Sequence, residues 1–340
     1  MIYAPLGFVW MYYVIRSRAF WFFSPANPTL EFSGFEGENK KEMYEQLPLQ
    51  YYPKTIYVRA KQDFQQIVEQ VSANEFHFPI VVKPQVGMHG MMFRKVRNTQ
   101  QLHEYHTFNK VDYVVQEYVD LPMEFSLFYI RYPGETKGKI TGFILKDYLA
   151  VTGDGSSTLM ELIRKHPRAC RREEEMKQKH ADYLDCVIAE DEKYYLSIAG
   201  NHNRGTRFIN LANEIDERLC KVFDKISLEA GHFYFGRYDL KCSSVEDMKA
   251  GKNISILEFN GAGAEPNHIY DCGMKYGDAL KVIMQHWKDL YKISRINYKN
   301  GVEYWSFIKG FKYLRKAKKY FKQLHKEDLQ ANLLGNFPGD

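Results

Sequence analysis

SILEFNGAGAEPNHIY, Ser255 to Tyr270, begins as an apolar run that reads as a strand, meets Glu258, Phe259 and Asn260, and then passes into small residues. Side chains alternate along a strand with period two, so Glu258 and Asn260 lie on the same face where the strand ends. A second apolar run just upstream, FGRYDLKC from Phe235 to Cys242, places Arg237 and Asp239 on one face in the same way. Carboxylates gathered in an apolar setting repel one another and resist desolvation unless a cation neutralises them. Oxygen donors without sulfur or histidine suit a hard ion, so Asp239, Glu258 and Asn260 are candidate ligands for Mg²⁺ or Mn²⁺, with substrate phosphates completing the shell. The plainer alternative is a structural Arg237–Asp239 ion pair with Glu258 at the surface, which leaves Glu258 and Asn260 on their shared face unexplained.

Working outward, FPIVVKPQVGMHGMMFRKV (Phe78–Val96) ends an apolar strand at Lys83 and continues into a loop containing Gly87, His89 and Gly90. An ammonium there is costly unless an anion meets it. Glycines let backbone N–H groups come close to that anion, which is the physics of a phosphate cradle. The GxxxxGK[ST] pattern is absent and the next element reads as a strand, so this is no Walker loop; a hairpin with a strand-end lysine is the alternative. In VVQEYVDLPMEFSLF (Val114–Phe128), Glu117 closes one strand and Glu124 opens the next. The two carboxylates could receive ribose hydroxyls and an adenine amine, while Gln116, Tyr118 and Val119 offer backbone groups to a base. Two solvated loop-edge glutamates are the alternative reading.

The rest of the chain reads as strands in clusters among capped helices, an α+β class with a mixed or antiparallel sheet. Helices are expected from Lys40, over KQDFQQIVEQV, after Asn98, after Ser157 or Thr158, over RREEEMKQKHADYL, over NEIDERLCKVFDKISLEAG to Gly231, and from Val302 to about Lys326. Five widely spaced cysteines among 340 residues, with no CxxC pair, fit a reducing cytoplasm better than a disulfide or zinc scaffold. The net charge of +5 comes mostly from the C-terminal basic segment, so binding of nucleic acid by the whole molecule is not implied. The apolar stretch before Arg16 is shorter than the roughly 20 residues that span a bilayer and lacks a cleavage site. It is either a core element or a membrane-interface anchor. The basic tail helix likewise either packs with a solvated face or lies on anionic lipid, at the inner face of the membrane.

Taken in order, VVKP, the glycine loop, QEYV with a glutamate seven residues on, GRYD and EFN resemble the ATP-grasp superfamily, in particular D-alanine:D-alanine ligases and related carboxylate-amine ligases. The resemblance runs from about Lys40 to about Leu290. It implies two α+β subdomains, about 51–120 and 121–295, gripping ATP between their sheets. A short aromatic segment (1–50) precedes them and the basic helix (296–340) follows. It implies that Lys83 and the loop from Gln85 to Met91, with Gly87, His89 and Gly90, hold ATP phosphates, and that Gln116, Glu117, Tyr118, Val119 and Glu124 hold adenosine. Lys40 and Lys146 are further nucleotide-side lysines. Asp239, Glu258 and Asn260 would hold two Mg²⁺ ions, and Arg237 would steady the developing oxyanion.

LAVTGDGSSTLMELI and NHNRGTRFINLANEIDERL resemble cyanophycin synthetase, where the corresponding region borders the acceptor and acyl-phosphate site. Gly153, Asp154, Gly155, Ser156, Asn203, Arg204 and Gly205 are therefore candidate substrate residues, with Arg204 also catalytic; TGDGSS offers a tight turn with several N–H donors, and Asn203, Arg204 and Gly205 a cation and backbone donors, where an anionic group could sit, a surface loop before a capped helix being the alternative. The chain departs from the ligases at its N-terminus and at GAGAEPNHIY, where Glu265 and His268 are the candidates for reading the substrate. The implied activity is ATP- and Mg²⁺-dependent joining of a small-molecule carboxylate to an amine through an acyl phosphate; the number of subunits is left open, a dimer among the choices. An ATP-grasp phosphotransferase and a non-catalytic, membrane-associated nucleotide binder are the alternatives.

Overall fold

The computed structural model describes residues 2–87, 90–197, 200 and 205–333. In its first half, helix α1 (Gly7–Ser17) is followed by α2 (Lys40–Tyr44), β1 (Thr55–Val58), α3 (Phe64–Ala73), β2 (Ile80–Pro84), β3 (Arg94–Val96), α4 (Thr99–Phe108), β4 (Tyr113–Glu117), β5 (Met123–Ile130), β6 (Lys139–Asp147) and β7 (Ala150–Thr152). Then come α5 (Leu159–Lys165), α6 (Glu173–Lys179), β8 (Lys193–Tyr195), β9 (Arg207–Asn210), α7 (Glu217–Glu229), β10 (Phe235–Cys242), α8 (Val245–Lys249), β11 (Ile254–Asn260), α9 (Tyr276–Lys299) and α10 (Phe307–Leu333). Local chemistry starts the helices: Asn39, Asp63, Asn98 and Asp216 each cap a first turn, and Thr158 with Glu161 forms a full capping box on α5.

The fold is α+β with antiparallel sheets. One sheet has four strands in the order β1-β4-β2-β3, the other five in the order β11-β10-β5-β6-β9, and β7 with β8 forms a separate ribbon. The five-stranded sheet has two unlike faces. Phe125, Leu127, Phe143, Tyr238 and Leu240 pack beneath Leu219, Phe223 and Ile226 of α7, each such burial being worth about 1.5–3 kcal/mol. The opposite face is apolar at one end, where Phe128, Ile130 and Phe235 pack with Leu290 and Ile293 of α9, and carries the polar candidate site at the other. The four-stranded sheet has its own core, Val58, Ile67, Val82, Leu102 and Tyr105, to which α10 adds Phe321, Leu324 and Ala331.

The aromatic N-terminal segment is a core element on its inner side. Phe22, Phe23 and Phe32 are fully buried in a cluster that also draws on α9 and on Tyr313 and Leu314 of α10. Two expectations about helices are corrected, and one helix was missed. The charged helix shortens to α6, with a 3-10 turn on either side. The last helix starts at Phe307 rather than Val302, because the preceding residues hold a bridge between Trp305 and Trp21. Helix α9 was not legible, since its buried stripe at Ala279, Ile283, His286, Leu290, Ile293 and Asn297 has helical spacing but is broken by polar residues.

Candidate active site

The register of the five-stranded sheet assembles a polar stripe. Arg237 stands opposite Asn260, and Asp239 opposite both Glu258 on β11 and Ser126 on β5. Glu124 stands opposite Lys241 and Lys146. Paired residues on adjacent strands share a face, so three separate sequence motifs converge on one surface. A bulge helps: Asp239 pairs with Glu258 but Leu240 pairs with Ile256, so Leu257 is the extra residue, directly beside the site.

Asp239 is the hub. Its carboxylate accepts from Arg237 Nε at 3.2 Å and Nη2 at 3.0 Å, from Asn260 Nδ2 at 3.1 Å and from Ser126, and Lys146 Nζ lies 3.3 Å away. Burial works against the charge, but Arg237 and Lys146 outweigh it and hold this carboxyl well below the usual carboxylate range. Lys146 also donates to Glu124 at 2.8 Å, and Tyr148 donates to the other oxygen of Glu124. Burial alone would lower Lys146; Asp239 and Glu124 reverse this and raise it. Arg237 sends Nη1 to the Glu265 carbonyl at 3.2 Å and to Asn267 Oδ1 at 3.0 Å. Of its five N–H groups these bonds engage four.

Across from the stripe, α2 and β2 bring up two more lysines. Lys40, buried, lies 3.6 Å from Glu258 Oε1, and a Cβ on Gly87 would sit 3.3 Å from its ammonium. Lys83 donates to the Tyr44 hydroxyl at 3.4 Å, and that hydroxyl donates at 2.6 Å to the carbonyl of the bulged Leu257. Burial lowers Lys83 to about 8, against the pull of Glu258 and Glu124. Glu38 is a third acid here: burial and the neighbouring Glu258 raise it to about 7. Neither Glu38 nor Tyr44 was singled out from the sequence; the helix cap at Asn39 was the only nearby signal.

The glycine loop is anchored at both ends by α10. Tyr320 donates to the Val86 carbonyl at 2.8 Å, and Asp328 accepts the Met92 N–H at 2.8 Å while pairing with Arg94 at 3.2 Å. Gly90 has φ +71°, a conformation that favours glycine; His89 lies outside the described residues. On the expected adenosine side, Gln116 is buried with its side chain donating to Thr55, Glu117 is exposed, and Tyr118 has the Lys95 ammonium 3.7 Å from its ring centre. The Val119 carbonyl accepts from Lys241 at 3.1 Å. Of the two carboxylates, Glu124 is bonded to Lys146 and Tyr148 while Glu117 faces solvent.

The expected substrate residues disperse. The N–H groups of Ser156 and Ser157, anticipated as anion donors, are taken by the Asp154 carboxylate, which these bonds hold far below its usual range. Gly153 abuts the Ala189 carbonyl so closely that a Cβ would overlap it, and Gly155 has φ +69°. The Gly205 carbonyl accepts from Arg168. Asn203 and Arg204 lie outside the described residues. Glu265 is exposed and accepts from Tyr270, whereas His268 is buried against Gly142 and His286, lowered to about 4 by burial. The residue of GAGAEPNHIY whose side chain meets Arg237 is thus Asn267.

Among the described residues no three His, Cys, Asp or Glu side chains form a metal cluster. Apart from Glu124, which is bonded to Lys146 and Tyr148, the stripe offers two carboxylates, Asp239 and Glu258, and the amide oxygen of Asn260, a number that suits Mg²⁺, which keeps waters and substrate phosphates in its shell.

No protein-family model matches the sequence, and no curated protein matches it. Solved structures do match in part. A bifunctional glutathione synthetase from Pasteurella multocida is similar over 74% of this chain and 36% of its own, at 16% identity and a TM-score of 0.40. A D-alanine–D-alanine ligase from Bacillus anthracis is similar over 77% of this chain and 68% of its own, at 14% identity and 0.43. A D-Ala:D-Ser ligase from Enterococcus faecalis is similar over 78% and 64%, at 14% and 0.44. The chain thus spans about a third of the synthetase and about two thirds of each D-alanine ligase.

Proposed function

We propose that this protein is an ATP- and Mg²⁺-dependent ligase of the ATP-grasp type that joins a carboxylate to an amine. The observation that carries the reading is the convergence of Lys40, Lys83, Lys146 and Arg237 with Asp239, Glu258 and Asn260 beside a glycine loop, at the meeting of two antiparallel sheets. A site with this many desolvated cations is built for a polyanion.

Lys83 and Lys40 would meet the phosphates, and the backbone of the loop at Gly87 would close over them. Glu258 and the free amide oxygen of Asn260 are the donors best placed for a metal. Asp239 would join them by releasing part of its hold on Arg237 or Lys146. Bound Mg²⁺ would supply charge neutralisation at the phosphate oxygens. The chemistry needs no protein nucleophile. The substrate carboxylate oxygen attacks the γ-phosphorus and ADP leaves with the electrons of the broken bond. The amine then attacks the acyl carbon, inorganic phosphate departs, and the amine proton passes to solvent. The remaining N–H of Arg237 is available for the oxyanion of either step.

Phosphate release from ATP, screened against amino acids, dipeptides and acyl amino acids with mass-spectrometric detection of product, tests the reading. An amide formed in step with free phosphate is expected. A stable phosphorylated acceptor without free phosphate would replace the ligase by a phosphotransferase, and the absence of any ATP effect on melting would remove the nucleotide site.

A further inference from the structure

Among the described residues no helix is long and apolar enough to cross a membrane. Contact with a membrane surface is a separate matter, and both ends of the chain bear on it. Helix α1 carries no charge before Arg16 in its last turn. Its inner face, Trp10 and Tyr13 among others, enters the aromatic core. Its outer face presents Phe8 at 78% exposure and Ile15 at 70%, seven residues and two turns apart. Phe20, three residues beyond α1, is also exposed and makes an edge-on ring contact with Phe307, which in turn stacks on Phe311. Phe307 and Ile308 remain 56% and 64% exposed. The first turns of α10 therefore continue the patch that the N-terminal segment begins. Scattered apolar residues on a surface need no explanation, but exposed aromatic and aliphatic side chains gathered in two distant parts of the chain that meet through the Phe20–Phe307 contact do.

Charge supplies the second observation. Residues 1–30 contain two arginines and no acid, and residues 304–326 contain eight basic residues and no acid. Since the whole chain is at +5, everything else carries −5. The packed side of α10 holds Tyr313, Ala317, Tyr320, Phe321 and Leu324, so Lys312, Arg315, Lys316 and Lys319 are left on the solvent side. Apolar rings rimmed by cations, with no acid in either stretch, match the layered chemistry of an anionic lipid surface: acyl chains below, negative headgroups above. A second copy of this chain would lack that match, because the same acid-free faces would repel each other.

We propose that the outer face of α1, Phe20 and the first turns of α10 form one docking surface for an anionic bilayer. The proposal is independent of what the nucleotide site does. Its test is sedimentation of the full chain with vesicles of phosphatidylcholine alone and with a quarter phosphatidylglycerol, at low and high salt. Three double variants on exposed positions accompany the wild type: Phe8→Ser with Ile15→Ser, Phe307→Ser with Ile308→Ser, and Lys312→Glu with Lys316→Glu. Binding is expected only to the anionic vesicles, weakened by salt, and at least tenfold weaker in every variant at unchanged melting temperature. Absence of binding at low salt would overturn the proposal. So would apolar variants that bind like wild type, since that is adsorption by lysines alone. Light scattering that finds a dimer which the apolar variants dissolve, without vesicle binding, would give the surface to a second copy instead.

Discussion

Lys83 offers the sharpest test of the nucleotide site, because its chemistry in the free protein is already set against it. An ordinary lysine holds its proton to 10.5, and burial at the end of β2 brings this one to about 8. At 1.36 kcal/mol per pH unit the difference is on the order of 3 kcal/mol of unmet hydration, which an arriving phosphate would relieve. If only the protonated form receives phosphate, the competent fraction is about three quarters at pH 7.5 and about 3% at pH 9.5, so ATP affinity should fall about 25-fold across that window. The groups facing Lys83 do not mimic this. The Tyr44 hydroxyl is pushed above its ordinary range by burial, and Glu38, at about 7, has largely titrated before the window opens. Calorimetric titration of ATP with Mg²⁺ in buffers of different ionisation enthalpy reads both the affinity and the proton taken up. Lys83→Met should bind more weakly and lose the pH dependence. A change of less than threefold in the wild type, or the same profile in Lys83→Met, would refute the reasoning. Without nucleotide the sign reverses. The folded value lies below the unfolded one, so the unfolded chain holds more protons between pH 8 and 10.5, and this lysine makes stability rise with pH across that interval.

Other perturbations follow from the same geometry. Asp239→Asn removes the carboxylate that Arg237 and Lys146 share in a buried site and should cost about 3–5 kcal/mol in urea unfolding, while Lys146 keeps its pair with Glu124. Because the Asp239 value is depressed on folding, its contribution is complete above about pH 4 and declines as pH falls below that, so Asp239→Asn should lose that part of the acid limb of the stability curve. Gly142→Ala would place its Cβ on the imidazole of His268 and should destabilise by about 1–3 kcal/mol in thermal melts, with a displaced His268 resonance. Asp328→Ala leaves the Met92 N–H and Arg94 without that acceptor, costing about 1–3 kcal/mol, and should raise the ATP KM more than it lowers kcat.

The strands that carry the site were legible because polar side chains recur two positions apart in them, Arg237 with Asp239 and Glu258 with Asn260. FGRYDLKC and NISILEFN show it in apolar context, and the polar positions therefore stood out. Which strand lies beside which is a matter of register, and register depends on partners that sequence spacing does not name. Hence the role of Ser126 opposite Asp239 was invisible, as was the bulge at Leu257. Glu38 and Tyr44 were missed because they precede the motifs and enter the site only when α2 folds back on β11. The TGDGSS turn misled in the other direction. An Asx turn and an anion cradle present the same small residues, and only the side chain of Asp154 decides where the N–H groups point. Asn267 was overshadowed by its charged neighbours, although amides often hold arginines in place.

The attachment of α10 to both ends of the glycine loop has a consequence for how the molecule is made. Met92 and Asp328 are separated by 236 residues. A ribosome adding about 5–20 residues per second needs on the order of 10–50 s to cover that distance. Throughout that interval β2, β3 and the loop between them have emerged, but the helix that closes their apolar core at Phe321 and Leu324 does not yet exist. The four-stranded sheet is thus left with a bare flank facing the cell during synthesis, and the two ends of the glycine loop gain their partners Tyr320 and Asp328 only when the last described helix is released.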